Sequence, residues 1–347
     1  MSVFSNSAFD EHENVHFWHD QASGLRAIIA IHSSARGPAA GGCRAWAYDS
    51  SDAALTDVLR LSRGMSYKNA MAGLNLGGGK AVILRQPGCE ITDATMRSFG
   101  RFVNSLDGRY ITAEDVGMSV SWMQTVATET RFVAGLPPKG DAAGGDPSPT
   151  TALGTYHGIR AAVARQLGKD SLRGLKIAVQ GVGNVGMHLC ELLAEDNCEL
   201  WVADVNAERL AQAGKRFDAK VVALDEILFQ DVDVISPCAL GAVLNSESIP
   251  KIKSRVIAGA ANNQLAAAAD GQRLLDAGIL YCPDYVINAG GIINVSSEYE
   301  GDVSQAEVVQ QVEAIGPRLG EIFEQAARVK RSTSDVADEM ARSLIGR

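Results

Sequence analysis

Two lysines and an aspartate in the first third of the chain are residue types suited to acid–base chemistry. Lys68 lies in GMSYKNA, Lys80 in GGGKAV and Asp115 in TAEDVG. A lysine that is desolvated or close to a second cation exchanges its proton near neutral pH, and the second cation binds a carboxylate. Spacing alone leaves open the alternative that both lysines are solvated surface residues and that Asp115 only caps a turn.

The glycines before Lys80 raise the question of a phosphate-binding loop. The template G-x-x-x-x-G-K-[ST] is not met, because position 74 is leucine and Ala81 stands where Ser or Thr would hold Mg²⁺. We instead expect residues 77–79 to form a tight turn, in which a substrate approaches the backbone and the Lys80 ammonium together.

A second glycine-rich motif, QGVGNVG, predicts a dinucleotide site. Gly181, Gly183 and Gly186 follow the apolar run KIAVQ and open a helix-like run. In this pattern the first glycine permits a tight turn, the second admits a pyrophosphate to the backbone, and the third lets helix and strand pack closely. The helix start then offers N–H groups and a positive dipole end to phosphate. The pattern leaves three alternatives open: a structural glycine turn, an FAD site and an S-adenosylmethionine site.

The acidic residue that accompanies such a motif is Asp204, at the end of the run ELWVAD. A carboxylate there accepts hydrogen bonds from both hydroxyls of the adenosine ribose and repels a 2′-phosphate. No Arg or Lys occurs in the following Val-Asn-Ala. The sequence therefore favours NAD over NADP.

The elements that would position these residues are apolar strands alternating with helices. We predict strands at 25–32, 81–84, 109–115 and 199–204, helices at 51–72, 92–106, 120–129, 151–166 and 207–216, and two C-terminal helices at 304–330 and 333–345. Residues 36–44 are expected to be rich in turns, and the Pro/Gly segment 136–149 is a candidate hinge. The alternation indicates βαβ units and a parallel sheet.

Composition excludes several classes of protein. The chain has 347 residues, enough for two domains, and a net charge of −9, which argues against binding to nucleic acid or to an anionic membrane surface. The six cysteines form no CxxC pair, and the histidines show no metal-ligand spacing with them, so we expect no metal site and a reducing compartment. No signal peptide or membrane span is recognisable, and we expect a cytoplasmic protein.

Eight sequence blocks resemble those of the Glu/Leu/Phe/Val amino-acid dehydrogenases, especially the branch that acts on hydrophobic amino acids, and they occur in the same order as in that family. They run from GPAAGGCR at 37–44 and RLSRGMSYKNAMAGLNLGGGKAVI at 60–83 to PDYVINAGGIINV at 283–295. The resemblance implies NAD-dependent, reversible oxidative deamination of an L-amino acid to a 2-keto acid, ammonium and NADH. Two alternatives are a 2-hydroxyacid dehydrogenase and a catalytically silent NAD-binding regulator.

The resemblance also implies roles for individual residues. Lys68 would bind the substrate carboxylate, Lys80 would activate the water that attacks the imine, and Asp115 would carry protons to and from the amino nitrogen. Backbone at Gly41 and Gly42 would approach the substrate, which would explain the glycine pair. Further residues that the resemblance places around the cofactor or substrate are Thr151, Val182, Asn184, Val185, Val205, Cys238, Ala239, Asn262 and Asn288.

Four positions that match the family's side-chain pocket are uncharged: Ala40, Ala113, Ile292 and Val295. A glutamate enzyme needs a cation for the distal carboxylate, so glutamate is disfavoured. Ala113, Ile292 and Val295 suit leucine and other branched-chain amino acids. Ala40 is smaller than the leucine usual in leucine-type enzymes, and one methylene changes discrimination by only about 1–3 kcal/mol. Phenylalanine or another aromatic amino acid is therefore the alternative substrate.

The architecture implied is an α/β protein with two domains around a cleft. The first domain, residues 1–138, would carry the catalytic residues and the dimer contacts. The second, residues 139–315, would be a Rossmann-type NAD domain, and residues 316–347 would return to the first. Members of the family are homo-oligomers, so we expect a dimer or an octamer.

Overall fold

A computed structural model describes residues 2–85, 90–137, 144–239, 241–301 and 303–347. The chain forms two compact units: Met1–Gly145 with Val295–Gln305 and Ala341–Arg347, and Asp146–Asn294 with Ala306–Met340. Each unit contains its own sheet, so the predicted two-domain α/β class is confirmed. The predicted boundary at 138/139 and the middle of the candidate hinge, 138–143, lie outside the described residues.

The first unit is a five-stranded mixed sheet covered by helices. Its elements are β1 (Asn14–Asp20), β2 (Leu25–Ser33), β3 (Ala39–Trp46), α1 (Ser51–Met71), β4 (Gly77–Leu84), α2 (Asp93–Asn104), β5 (Tyr110–Glu114) and α3 (Val120–Ala127). The strand order is β1-β2-β4-β3-β5. Strands β3, β4 and β5 run parallel, while β2 is antiparallel to both β1 and β4. The strand that carries Lys80, β4, therefore lies in the middle of the sheet.

Helix α1 covers one face of this sheet. Ser50 caps its start by accepting a hydrogen bond from the N–H of Ala53. Apolar side chains of its first turns pack on the sheet residues Ile28, Ala30 and Val82. The opposite face is packed with apolar side chains that include Met96 and Phe99 of α2 and Met123 of α3. The helix predicted at 51–72 is confirmed and ends at Met71.

Two predictions of turns were wrong. Residues 39–44 of the supposed turn-rich segment belong to β3, and the glycines before Lys80 belong to β4. A Cβ at Gly77 would overlap the carbonyl oxygen of Ser33, and a Cβ at Gly78 would overlap the backbone nitrogen of Ser66. Strand and helix come too close here for side chains, and close approach, rather than a turn, requires the glycines.

The second unit is a doubly wound, fully parallel sheet of the Rossmann type. Its elements, in chain order, are α4 (Ser148–Leu167), β6 (Lys176–Gln180), α5 (Asn184–Glu195), β7 (Glu199–Ala203), α6 (Ala207–Phe217), β8 (Lys220–Val221), β9 (Val234–Pro237), β10 (Val256–Ile257), α7 (Ala269–Asp276), β11 (Leu280–Tyr281), α8 (Asp284–Ile287), the start of α9 (Gly290–Glu300), α10 (Gln305–Glu313), α11 (Ile315–Val329) and most of α12 (Thr333–Leu344). The rest of α9, from Val295, and the end of α12, from Ala341, group with the first unit. The strand order is β11-β10-β9-β6-β7-β8. The order reverses between β6 and β9, which is where doubly wound sheets bind ligands.

The C-terminal region differs from the expectation in two respects. The helix predicted at 304–330 is two helices, α10 and α11. Of residues 316–347, only Ala341–Arg347 group with the first unit. The reason is that α11 packs on α4, where the missing side chain of Gly158 makes room for Leu319 and Ile287. Among the described residues, no helix is both long and apolar enough to cross a bilayer.

Candidate active site

Lys80 and Asp115 form a buried ion pair in the first unit. Lys80 projects from β4 and is only 4% exposed, and its Nζ donates to Oδ2 of Asp115, the residue after β5. Burying either charge alone would be costly, whereas a hydrogen-bonded pair compensates for part of the lost hydration. The structure therefore brings together the two residues that we predicted to move protons.

A second cation also contacts Asp115. The Nε of Arg44, on β3, donates to Oδ1 of Asp115 at 3.2 Å, and the N–H of Val116 donates to the same oxygen at 2.7 Å. Burial raises the pKa of the Asp115 carboxyl, but Lys80 and Arg44 outweigh that effect, and the pKa lies below its ordinary value. Sequence reasoning missed Arg44, whose only signal was its place at the end of GPAAGGCR.

The glycine pair on β3 makes room for this arrangement. A Cβ at Gly42 would lie 2.9 Å from Cβ of Asp115 and 2.5 Å from the carbonyl oxygen of Glu114, and a Cβ at Gly41 would lie 2.9 Å from Cγ of Met65. Packing within the unit thus accounts for both glycines, where we had expected approach of the substrate to do so. Their contact with substrate stays a prediction.

Lys68 lies in the last turn of α1 and is half-buried. The next residue, Asn69, is buried, and its Nδ2 donates to the carbonyl oxygen of Gly77 at 2.7 Å. This hydrogen bond fixes the end of α1 against the start of β4, the strand of Lys80. The role of Lys68 in binding a carboxylate stays a prediction.

Two of the predicted pocket positions share a sheet face with Lys80. The register pairs Ala40 with Gly78 on β4, and Gly42 with Ala113 on β5. Because paired and alternate residues of parallel strands point to one side, Ala40, Ala113 and Lys80 belong to the same face. The other two positions, Ile292 and Val295, are half-buried and lie one turn apart on α9.

The glycine motif of the second unit separates structural from open positions. Gly181 has a φ of +99°, and a Cβ there would lie 2.6 Å from Cβ of Ala239. A Cβ at Gly186 would overlap the carbonyl oxygen of Gly181. At Gly183 the nearest atom would be Nη1 of Arg209, at 3.5 Å, an ordinary contact distance. Gly181 is therefore required by the turn and Gly186 by the close packing of α5 on that turn, whereas Gly183 leaves space in front of the backbone.

The start of α5 is suited to bind an anion. Gly183 is its N-cap and provides no side-chain cap, so the N–H groups of Asn184, Val185 and Gly186 are not satisfied by a capping side chain. These N–H groups and the helix dipole favour a phosphate at this end of the helix. The predicted Rossmann motif is thus in its predicted strand–turn–helix context.

Asp204 follows β7 and contacts the glycine motif. Its Oδ2 accepts the N–H of Val182 at 2.8 Å, and Val205 beside it is exposed. Arg209, whose guanidinium lies beside Gly183, is a second residue that sequence reasoning missed. Arg209 lies beyond the Val-Asn-Ala that follows Asp204, and the first turn of α6, which begins at Ala207, carries it back toward the loop.

Cys238 and Ala239 follow β9 and lie beside the glycine motif, as their predicted role requires. The N–H of Cys238 donates to the carbonyl oxygen of Gln180 at 2.7 Å. Burial raises the pKa of the Cys238 thiol, which keeps it protonated and a poor nucleophile. Their contact with a cofactor ribose stays a prediction.

Two asparagines of the second unit form a paired amide site. Nδ2 of Asn288 donates to Oδ1 of Asn262 at 2.8 Å and to the carbonyl oxygen of Ala260 at 3.1 Å. Oδ1 of Asn288 is buried and, within the described part of the chain, has no hydrogen-bond partner. Such an acceptor fits the N–H₂ group of a carboxamide such as that of nicotinamide. The side chain of Thr151 lies beside Gly291, which follows Asn288 by three positions in the chain.

These observations fit a nicotinamide dinucleotide in the second unit. They are an uncapped helix start, an open glycine, an acid after β7 and an unpaired amide oxygen. No group of three or more His, Cys, Asp or Glu in the described ranges is arranged to hold a metal ion.

Comparison with known proteins gives a consistent result. The family described as Glu/Leu/Phe/Val dehydrogenase, dimerisation domain, matches residues 12–132, and Glutamate/Leucine/Phenylalanine/Valine dehydrogenase matches residues 201–342. Leucine dehydrogenase of Geobacillus stearothermophilus is 47% identical over 345 residues, covering 99% of this chain and 94% of the relative.

The names of two further relatives give other substrates. Valine dehydrogenase of Streptomyces virginiae is 47% identical over 293 residues, covering 84% of this chain and 82% of the relative. The crystal structure of L-tryptophan dehydrogenase from Nostoc punctiforme matches with a TM-score of 0.87 and 44% identity, covering 96% of both chains.

Proposed function

The chain belongs to the Glu/Leu/Phe/Val dehydrogenase family of NAD- or NADP-dependent amino-acid dehydrogenases, and from that premise we propose NAD-dependent, reversible oxidative deamination of a hydrophobic L-amino acid. The products are the 2-keto acid, ammonium and NADH. The observation that carries this proposal is the buried Lys80–Asp115 pair on a sheet face that also holds Ala40 and Ala113.

The residues of the first unit divide the chemistry among them. When bound, NAD⁺ supplies the acceptor for the hydride that leaves the α-carbon. The substrate imine then needs a water made nucleophilic, and Lys80 takes the proton of that water. Asp115 carries a proton between Lys80 and the amino nitrogen through its Oδ2. Lys68 holds the carboxylate, and the cationic site stabilises the charge that develops as water adds.

Leucine and other branched-chain amino acids are the best candidate substrates. Ala40, Ala113, Ile292 and Val295 carry no charge that would pair with the distal carboxylate of glutamate. The names of the leucine and valine dehydrogenases above support an aliphatic substrate.

An aromatic amino acid is the second candidate. Two alanines on the Lys80 face leave more room than larger side chains would, and a tryptophan dehydrogenase is among the similar structures. Phenylalanine and tryptophan therefore belong in any substrate panel.

NAD is the proposed cofactor on the strength of Asp204. Its carboxylate lies beside the glycine motif and disfavours a 2′-phosphate. Arg209 beside Gly183 weighs against this preference, because a guanidinium is a phosphate ligand. We assign Arg209 to the pyrophosphate rather than to a 2′-phosphate.

We also infer a homo-oligomer. The support is that residues 12–132 match a family described as a dimerisation domain. Light scattering of the purified chain tests this, and a monomer at micromolar concentration would contradict it.

The deciding experiment is an assay of purified protein with each standard L-amino acid, using NAD⁺ and NADP⁺ in parallel. We expect dinucleotide reduction with leucine, isoleucine and valine, faster with NAD⁺, and none with glutamate. A Lys80→Met variant serves as the inactive control. Binding of NADH without turnover on any amino acid would instead support a silent regulator and overturn the proposal.

A further inference from the structure

We propose that Arg44 is a positioning residue for Asp115: anchored by Asp57, it fixes Oδ1 of the carboxylate so that Oδ2 alone faces Lys80 and exchanges protons. The inference rests on the proposed function, because it concerns the proton carrier of that reaction.

The guanidinium of Arg44 bridges two carboxylates on different elements. Nε donates to Oδ1 of Asp115 at 3.2 Å, and Nη1 donates to Oδ2 of Asp57, on α1, at 3.0 Å. The donors of a guanidinium lie in one rigid plane, so fixing one hydrogen bond restricts the direction of the other. Arg44 thereby transmits the position of α1 to the residue that follows β5.

Asp57 is itself firmly held. Its Oδ2 also accepts the hydroxyl of Tyr48 at 2.8 Å, and its Oδ1 accepts from Arg60, one turn along α1, at 3.3 Å. The side chain of Asp57 is 15% exposed, whereas that of Arg60 is 56% exposed. Asp57 is thus a fixed anchor with an inner cation, Arg44, and an outer cation, Arg60.

The two oxygens of Asp115 consequently have different environments. Oδ1 accepts from Arg44 and from the N–H of Val116, and Oδ2 accepts from Lys80. A proton on Oδ1 would displace the N–H donors of Arg44 and Val116. A proton on Oδ2 takes the place of the one that Lys80 already donates to that oxygen. The proton that Asp115 carries therefore resides on Oδ2, and rotation of the carboxylate is prevented.

Arg44→Gln tests the inference, with Arg60→Gln as the matched control. Both arginines bond Asp57, but only Arg44 reaches Asp115. Because a misplaced catalytic group costs up to about a hundredfold in rate, we expect kcat of Arg44→Gln to fall about 10- to 100-fold. Its KM for the amino acid and its Kd for NADH should stay within about twofold, whereas Arg60→Gln should keep the wild-type kcat.

A second readout separates positioning from a structural role. If Asp115 is no longer held, proton transfer becomes slower relative to other steps, and the solvent deuterium isotope effect on kcat rises in Arg44→Gln. Arg44→Lys keeps the positive charge but lacks the planar guanidinium, and its kcat should lie between those of Arg44→Gln and the wild type. A kcat loss no larger than that of Arg60→Gln, or a loss with an unchanged isotope effect, overturns the proposal.

Two further measurements keep the test decisive. If Arg44→Gln does not fold, Asp57→Asn removes the anchor and keeps the arginine, and it should likewise raise the isotope effect.

If the wild-type protein oxidises no amino acid, the proposed function fails separately. A double-mutant cycle of Arg44→Gln and Asp115→Asn on urea unfolding then measures the pairing without turnover. Additive effects in that cycle overturn the inference.

Discussion

The carboxylate of Asp204 joins the end of β7 to the glycine motif by accepting the N–H of Val182 at 2.8 Å. Its other oxygen accepts the N–H of Asn206, also at 2.8 Å. A carboxylate oxygen accepts more than one hydrogen bond. Asp204 therefore holds the loop and keeps capacity for the two ribose hydroxyls that we assign to it.

Asp204→Ala should weaken NADH binding by about 10- to 150-fold, because charge-assisted hydrogen bonds contribute about 1.5–3 kcal/mol. It should also admit NADPH, since the carboxylate that repels a 2′-phosphate is gone. Fluorescence titration with both dinucleotides measures this. Adding Arg209→Ala should weaken the binding of NADH and NADPH alike, because Arg209 is assigned to the pyrophosphate that both contain, and an unchanged cofactor preference in Asp204→Ala refutes the ribose assignment.

Lys80→Ala should lower kcat by about a thousandfold, within the range for loss of a general acid–base group. NADH should bind as in the wild type, because the residues assigned to the dinucleotide belong to the second unit. Steady-state assays and NADH titration test both statements. Lys253, which is exposed, supplies a control lysine, and near-normal turnover of Lys80→Ala would falsify the assigned chemistry.

Ala40→Leu should narrow the substrate range toward leucine. Ala40 lies on the Lys80 face, and a larger side chain there fills space that an aromatic substrate would need. We expect the ratio of kcat/KM for leucine over phenylalanine to rise about tenfold, the scale of one or two methylenes. A ratio that moves toward phenylalanine contradicts the assignment of the pocket.

Gly78→Ala should destabilise the first unit by about 1–3 kcal/mol, the usual cost of overpacking. The new methyl group would collide with the backbone of Ser66. Gly64→Ala is the matched control, because a Cβ there meets nothing within 4 Å. In this helical position alanine should stabilise by about 0.5–1 kcal/mol. Urea unfolding decides, and equal effects of the two substitutions would disprove the packing argument.

Stability should fall in acid because of His32. This histidine is fully buried, its Nδ1 contacts Ser66 Oγ at 2.8 Å, and its Nε2 contacts Arg347 at 2.9 Å. Burial, then the charges of Arg347 and His12, lowers the pKa of His32 from 6.5 to about 3. Between those values the unfolded chain binds the proton and the folded chain does not, so this stability is present above pH 6.5 and declines below it.

The expected slope from His32 is about 1.4 kcal/mol per pH unit between the two pKa values. Urea unfolding at a series of pH values measures it. His32→Asn should make the profile less steep over this range, whatever its effect on stability at neutral pH, and the slope that remains includes the part from His12, whose pKa burial also lowers. An equally steep profile in the variant rules out His32 as the cause.

The sequence was informative where function depends on neighbours in the chain. Gly181, Gly183, Gly186 and Asp204 belong to one βαβ unit, so their spacing alone predicts their arrangement around the start of α5. Their detailed roles came from the structure, because overlap with Gly181 and Ala239 is a three-dimensional property.

The failures have a common physical cause in contacts between distant segments. A run of glycines usually indicates a turn, but residues 77–79 are extended because α1 and neighbouring strands lie against them. Arg44 could not be recognised either, since its partners Asp57 and Asp115 are 13 and 71 residues away along the chain.

Lys80 lies on a central strand, whereas Asp115 follows β5, a strand at the edge of the sheet. Strand β4 is hydrogen-bonded on both sides, by β2 and β3. Strand β5 is paired with β3 on one side and, on the other, meets residues 132–134 through Thr112. Peripheral segments open locally more often than central strands. Amide deuterium exchange should therefore be faster around Asp115 than around Lys80. On heating, turnover should be lost at a lower temperature than that at which the sheet unfolds.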